Sequence, residues 1–371
     1  MTNIAIVLEN SSKTKFGGGQ NITLQVMDIL IQFFEVILID CANDTIFFHK
    51  AADKKCQRYS LNWSGKIIGG HKSSFMIGWK EICLSPFFIF RSFFRLRKIL
   101  KTNNCSIENT IFYACTKKML ILAYIYEIIF GYKYVFHAHT LDDKTSFFFK
   151  LIKLLLKKAE RIVCVSKIVA ENISLPQCQV IYNSVDFNKR PVVSYSKKRK
   201  IIATFSTLIP LKGIKVFIDS FKYLKNYEGT EYWIFGDGPE RPLLEKKAEG
   251  NIVFKGFCFD VIEEMQKNIY LVVVPSISEE ACPVVPIEAF SLGIPVISTN
   301  IGGQAEIVKH DYVGRQVPVG NSEAIACEID YLIDNPDIYF KLSNNTRIYA
   351  REVFNKKIFE NKIKILFDFA K

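Results

Sequence analysis

Two carboxylates eight positions apart, Glu280 and Glu288, stand in the stretch EEACPVVPIEAFSLG (279–293) beside two prolines. Pro286 has no N–H and suits only the first helical positions, whose N–H groups lack intrahelical partners; Pro283 fits a helix entrance. The stretch therefore predicts a loop ending near residue 283 and a helix running to Gly293, a residue suited to the position just past a helix end. Glu280 then lies on the loop and Glu288 about one turn into the helix. Free N–H groups at Val284 and Val285 make a positive helix end that suits a diphosphate. Carboxylates beside it can accept hydrogen bonds from sugar and ribose hydroxyls. A purely structural reading, with Glu280 solvated and Glu288 serving the helix dipole, fits the same residues.

A second constellation follows an apolar run in STLIPLKG (206–213). Lys212 before Gly213, at the entrance of the helical pattern KVFIDSFKYL, is placed to neutralise a phosphate. In FGGGQ (16–20), Gly17, Gly18 and Gly19 offer positive φ and close backbone approach just before a helical pattern, and a flexible turn would look the same. FGDGPERPLL (235–244) resembles a dinucleotide fingerprint only superficially, because Arg241 stands where the third glycine would be. Hydride-transfer chemistry is therefore not expected. His137 and His139 in HAHT sit two apart at a strand end, so both rings point to one side. No third ligand has zinc-like spacing, and no metal is expected.

These residues need elements to hold them. Strand candidates are 4–8, 34–40, 110–115, 132–138, 161–166 and 179–183, then 201–207, 231–236, 251–256, 271–276 and 295–299, alternating with helical patterns. Two such blocks predict an α/β chain of two doubly wound domains, with ligands at the carboxyl ends of the strands and the cleft between the domains as the site. The expected division is 1–188, a basic linker 189–200, 201–350, and a carboxyl-terminal helix 351–371 packing back on the first domain.

The net charge of +12 implies acidic partners. Lysine and arginine crowd RSFFRLRKILK (91–101) and KTSFFFKLIKLLLKKAER (144–161), interleaved with phenylalanine and leucine. On a helix Lys150, Lys153, Lys157 and Lys158 share one side and Phe147, Leu151, Leu154 and Leu155 the other. Two readings stand: an ordinary amphipathic helix covering a core, or a surface that attracts anionic lipid. No apolar stretch reaches the roughly 18–20 residues of a membrane span. The amino terminus lacks the pattern of a signal peptide, so a cytoplasmic protein with reduced, mostly buried cysteines is expected.

The second half resembles the retaining, GT-B-fold glycosyltransferases of family 4, group 1 type. The matching motifs are TLIPLKGIKVFIDSF, FGDGPERPLL, VFKG, VPSISEEACPVVPIEAFSLGIPVISTNIGGQAEIV and VGRQVPVGN. In the first half the glycine loop, HAHT, VCVSK and VIYNSVD follow in order. The resemblance implies two Rossmann-like domains facing across a cleft, with a UDP- or GDP-sugar held by the second. It further implies a glycan or lipid-linked acceptor held by the first, for capsule or lipopolysaccharide synthesis. The basic aromatic segments of the first domain suit an acceptor anchored in an anionic membrane, which would set the protein on the inner face of the cytoplasmic membrane. Neither a metal nor another cofactor is implied, and nucleic acid is not an expected partner.

Carried over by position, Glu280 contacts the donor sugar, Glu288 the ribose and Lys212 the diphosphate. His139 faces the transferred sugar, Gly17, Gly18 and Gly19 lie by the reacting centre, and the turns at Gly236, Gly256 and Phe257 serve the nucleotide. Two departures stand out: Thr207 replaces the family's usual diphosphate-binding arginine, and Ala281-Cys282-Pro283 replaces G-F-G. A nucleotide-sugar 2-epimerase of the same architecture, or a sugar-binding module without catalysis, are the alternative readings.

Overall fold

The computed structural model describes residues 3–11, 17–62, 75–187, 200–225, 228–267 and 269–367. The chain divides into two compact units: Met1–Val165, Ala170–Ile181 and Glu360–Lys371 in the first, Ser166–Val169 and Tyr182–Phe359 in the second. The expected linker falls almost wholly outside the described residues, and its last residue, Lys200, already opens a strand.

In the first unit β1 (Ile4–Glu9), β2 (Glu35–Asp40), β3 (Gln57–Ser60), β4 (Thr110–Ala114), β5 (Lys133–Ala138), β6 (Arg161–Cys164) and β7 (Cys178–Val180) form one parallel sheet. The strand order is β3-β2-β1-β4-β5-β6-β7. The helices are α1 (Gly18–Leu30), α2 (Ile46–Lys50), α3 (Phe75–Thr102), α4 (Lys117–Phe130), α5 (Phe147–Leu156) and α6 (Lys167–Ile173). Every residue of β1 is buried, as a central parallel strand covered on both faces requires. β3, QRYS, escaped the reading because an edge strand needs no continuous apolar run; only Ser60 in it is buried. β7 is likewise an edge strand, with no fully buried residue.

The second unit repeats the plan. It contains β8 (Lys200–Phe205), α7 (Ile214–Ser220), β9 (Thr230–Phe235), α8 (Arg241–Lys247), β10 (Ile252–Gly256), α9 (Val261–Met265), β11 (Ile269–Val274), α10 (Val284–Ser291), β12 (Val296–Thr299), α11 (Gly302–Ile307), β13 (Gly314–Val317), α12 (Ser322–Asp334) and α13 (Pro336–Val353). The sheet is parallel in the order β10-β9-β8-β11-β12-β13. Alternate residues feed opposite cores: Ala203, Phe205, Val272, Ile287 and Phe290 pack on one side, Ile202, Ile234, Leu271 and Val273 on the other. Truncating Phe290, fully buried, to alanine costs about 3–5 kcal/mol. Beyond Asn355, α14 (Lys356–Leu366) is the last described helix, and buried Phe367 meets Phe34 and Tyr113 with ring centroids 5.7 and 5.9 Å apart.

One expectation is corrected on α5. The helix buries Phe149, Ile152, Leu155 and Leu156, spaced as one helical stripe, whereas Phe147, Leu151 and Leu154 are exposed. Of the four apolar residues expected to share the inner side, only Leu155 does. A second correction concerns the cysteines: the nine whose side chains are described are all free, but only Cys41, Cys115 and Cys164 among them are buried.

Candidate active site

In the second sheet the chain runs outward from β8 in one direction and from β11 in the other, so the carboxyl ends of these neighbours form the topological switch point where open α/β sheets bind ligands. Lys212 lies in the turn after β8 and Glu280 in the loop after β11. The two segments are joined where Ile277 N–H donates to Leu211 O at 3.0 Å. Lys212 Nζ lies 2.6 Å from Glu280 Oε2, and Ser276 Oγ donates to Oε1 of the same carboxylate. Both charges keep partial solvent contact, 28% for Lys212 and 18% for Glu280, so a ligand can reach them.

α10 begins at Val284 with Pro283 as its extended N-cap, and Gly293 takes φ +81 just past its end. This is the predicted geometry. No side chain caps the helix start, so the first-turn N–H groups at Val284 and Val285 carry the positive helix end. Glu288 sits half-buried one turn in, with the Cys258 thiol in its electrostatic reach. Thr207 is exposed at the end of β8.

Gly236 has φ +126, and a Cβ there would lie 1.8 Å from Ser206 O, so only glycine lets the β9 end cross the β8 end. Its N–H donates to Gly256 O at 2.7 Å, which brings the two predicted turns together. Phe257, next in the chain, is 62% exposed and packs edge-on against Phe259 at 4.9 Å.

The residues that hold Glu280 were missed. Gln304 is fully buried; its Oε1 accepts the Glu280 N–H at 3.0 Å and its Nε2 donates to Ser278 O at 3.1 Å and Thr299 Oγ1 at 3.4 Å. Gly302 and Gly303 let α11 press against this loop, since a Cβ on Gly303 would stand 2.2 Å from Ala281 O. The available signal was the glycine pair in NIGGQAEIV, which marks a close backbone approach.

In the first unit the expected histidines do share one side: the rings of His137 and His139 lie 3.8 Å apart. His137 is fully buried and its Nδ1 shares a 2.6 Å hydrogen bond with the Tyr113 hydroxyl. Burial pushes the His139 imidazole down to about 4 and His137 well below its ordinary value, so both are neutral at pH 7. Gly19 lies beside the His139 ring, where a Cβ would make an ordinary contact at 3.6 Å. The glycine loop is corrected in one respect. Gly17 is extended at φ −122 as the N-cap of α1, and none of the three glycines has positive φ, so the expected backbone freedom is not used here; only Gly19 lies beside His139. Among the described residues no cluster of metal-ligating side chains occurs.

Known proteins resemble this chain in family and in fold. Residues 186–353 match the family described as "Glycosyl transferases group 1", and residues 71–189 match "Glycosyltransferase Family 4". An uncharacterized glycosyltransferase of Methanocaldococcus jannaschii is 26% identical over 54% of this chain and 57% of its own length. An exopolysaccharide phosphotransferase of Streptomyces coelicolor is 31% identical over 43% of this chain and 17% of its own length. The chain thus spans about half or less of these relatives. The crystal structure of Anabaena HepE in complex with UDP and glucose superposes over 98% of this chain and 99% of that one, with a TM-score of 0.79 and 19% identity.

Proposed function

Because the chain belongs to the group 1, family 4 glycosyltransferases of the GT-B fold, we propose that it moves a sugar from a UDP- or GDP-linked donor to a glycan or lipid-linked acceptor in cell-surface polysaccharide synthesis, with retention at the anomeric carbon. The observation that carries this reading is the Lys212–Glu280 pair at the switch point. A cation and a helix N-terminus suit a leaving diphosphate, and a carboxylate beside them suits sugar hydroxyls. The HepE structure contains UDP and glucose, and one relative is named for exopolysaccharide chemistry, which supports the donor class and the polymer setting.

In this reading Lys212, Val284 and Val285 receive the diphosphate, Glu280 orients the sugar, Glu288 takes the ribose, and Gly236, Gly256 and Phe257 border the base. His139, neutral, presents a hydrogen-bonding ring beside Gly19 rather than a charge. The positive charge that the leaving group needs comes from Lys212 and the α10 N-terminus, so the reaction is proposed to run without a metal or further cofactor. Most of the rate then comes from positioning and from stabilising the leaving diphosphate.

The acceptor is proposed to be presented at an anionic membrane surface. Phe87, Phe90 and Phe94 on α3, Ile128 and Ile129 on α4, and Phe147, Leu151 and Leu154 on α5 are all exposed. Arg91, Arg97, Lys98, Lys150, Lys157 and Lys158 on or just after these helices are exposed too. Apolar side chains amid basic ones suit a headgroup layer, and no described helix is long and apolar enough to cross a membrane.

A thermal-shift screen of UDP- and GDP-sugars tests the donor reading, since a ligand at 100 times its Kd adds about 2.7 kcal/mol of stability. The selected donor is then incubated with lipid-linked acceptors and the product anomer is read by NMR. Absence of any nucleotide shift would overturn the donor reading, an inverted anomer the retention, and an epimerised donor without transfer would point to the 2-epimerase.

A further inference from the structure

Two acids that the proposed chemistry leaves unused face each other at the carboxyl end of the first sheet. Glu9 closes β1, Asp40 closes β2, and the two are register partners across the parallel pair. Paired residues in such a ladder project to one side. Both are buried, at 3% and 0% exposure. The groups facing them are the Cys41 thiol after β2, the Tyr113 hydroxyl and Cys115 thiol from the β4 end, Thr23 from α1 and Thr45 before α2, and no described residue sets a cation there. Two buried carboxylates so placed, with no cation beside them among the described residues, do not both ionise near neutral pH.

Their hydrogen bonds run to the chain on either side of residues 12–16. Asp40 Oδ1 accepts the N–H groups of Ser11 at 2.9 Å and Cys41 at 2.7 Å, and Oδ2 accepts the Thr45 hydroxyl at 2.6 Å. Glu9 Oε1 accepts the Asn10 N–H at 3.0 Å and Oε2 the Thr23 hydroxyl at 3.2 Å. Thr23 lies equally close, at 3.2 Å, to the carbonyl of Gly19, the residue beside His139. We infer that Glu9 and Asp40 are positioning residues which, as one protonated and one ionised acid, set the entrance of α1 and its glycines against His139. The assignment within the pair follows the hydrogen bonds. Asp40, with three donors, is the ionised member; Glu9, raised to about 7 mainly by burial and then by the Asp40 charge, holds the proton.

For catalysis the inference rests on the proposed sugar transfer, so its test has one arm that needs no activity. Hydrogen exchange of the full chain should show the Ser11 and Cys41 amides exchanging about tenfold faster or more in Asp40→Asn, with distant amides unchanged. In the activity arm, wild-type kcat should fall as Glu9 ionises above about pH 7, with UDP affinity unaltered. Glu9→Gln, fixed in the neutral form, should keep wild-type kcat near pH 6 within about twofold and lose that alkaline fall. Thr23→Val should lower kcat at every pH without moving UDP affinity. Unchanged exchange at Ser11 and Cys41 in Asp40→Asn would overturn the inference whether or not transfer is found. So would an identical alkaline fall in Glu9→Gln and wild type. An enzyme with no transfer in any form, but with the predicted exchange change, would instead remove the proposed function and leave the clamp standing.

Discussion

Lys212 Nζ meets Glu280 Oε2 at 2.6 Å, so the cation assigned to the diphosphate is held by the carboxylate assigned to the sugar. The pair is partly accessible, and a donor entering between them would exchange one charge-assisted contact for two. The two substitutions should therefore separate. Glu280→Gln releases Lys212 and should leave UDP binding unchanged or tighter while kcat falls on the order of 100-fold. Lys212→Ala should weaken UDP about tenfold or more, the worth of one hydrogen bond to a charged group, and lower kcat as well. Calorimetric titration with UDP beside initial transfer rates distinguishes them; equal losses of affinity in both variants would dissolve the assignment.

The Glu280 loop depends on Gln304. Gln304→Leu leaves the half-buried Glu280 N–H and Ser278 carbonyl without their side-chain partner, a cost of about 1 kcal/mol for each. Urea unfolding should show that loss, and kcat should drop more than KM rises, because the sugar-facing carboxylate is displaced. Gly303→Ala should be worse, since its Cβ meets backbone at Ala281 and no rotamer relieves it.

Much of this was legible from residue types. The α10 entrance followed from what proline and glycine permit, and the central strands from continuous apolar runs. β3 and β13 were not legible, because QRYS and GRQV are short edge strands carrying polar residues. The Gln304 anchor and the Glu9–Asp40 pair were hidden for another reason. Their meaning lies in contacts between residues 24 or more positions apart, or across neighbouring strands, and a buried glutamine or acid has no local signature. The α5 error has the same root: helical spacing defines a stripe, but which of two apolar stripes faces inward is decided by the sheet beneath.

The neutral histidines give stability a defined pH dependence. His139 titrates near 4 when folded and near 6.5 when unfolded, so below 6.5 the unfolded chain binds the proton more readily. Its contribution is full above about pH 6.5 and is lost as pH falls through 4, to a total of about 3 kcal/mol. Unfolding free energies at pH 7.5, 5.5 and 4.5 should show wild type losing stability relative to His139→Gln as the pH drops. A constant difference between the two proteins would mean that the ring is solvated and the packing against Gly19 wrong.

The exposed face of α5 should bind anionic vesicles by charge and by apolar contact together. Each basic residue near such a surface is worth about 1 kcal/mol, so Lys150→Glu with Lys157→Glu should weaken flotation with phosphatidylserine vesicles by more than tenfold. Phe147→Ser with Leu154→Ser should weaken it comparably but without changing its salt dependence, because those side chains are exposed and carry no charge. Neither double variant should alter the melting temperature much, since none of the four residues is in the core. Flotation insensitive to all four substitutions would take the membrane away from this face.

Thr207 is where restoring a charge should help. The residue is exposed, at the end of β8, so an arginine there meets solvent and not the core. Substitution at such a position should change folding stability by no more than about 0.5 kcal/mol. If the diphosphate lies between Lys212 and the α10 N-terminus, a guanidinium at 207 adds a bidentate donor for phosphate oxygens. Thr207→Arg should then tighten UDP by about tenfold, an effect that shrinks as salt rises from low to physiological strength. Because a product bound more tightly leaves more slowly, kcat should stay level or fall while donor KM drops. Weaker UDP binding in a folded Thr207→Arg protein would show that the diphosphate does not approach the β8 end, and would move the leaving-group site away from Lys212.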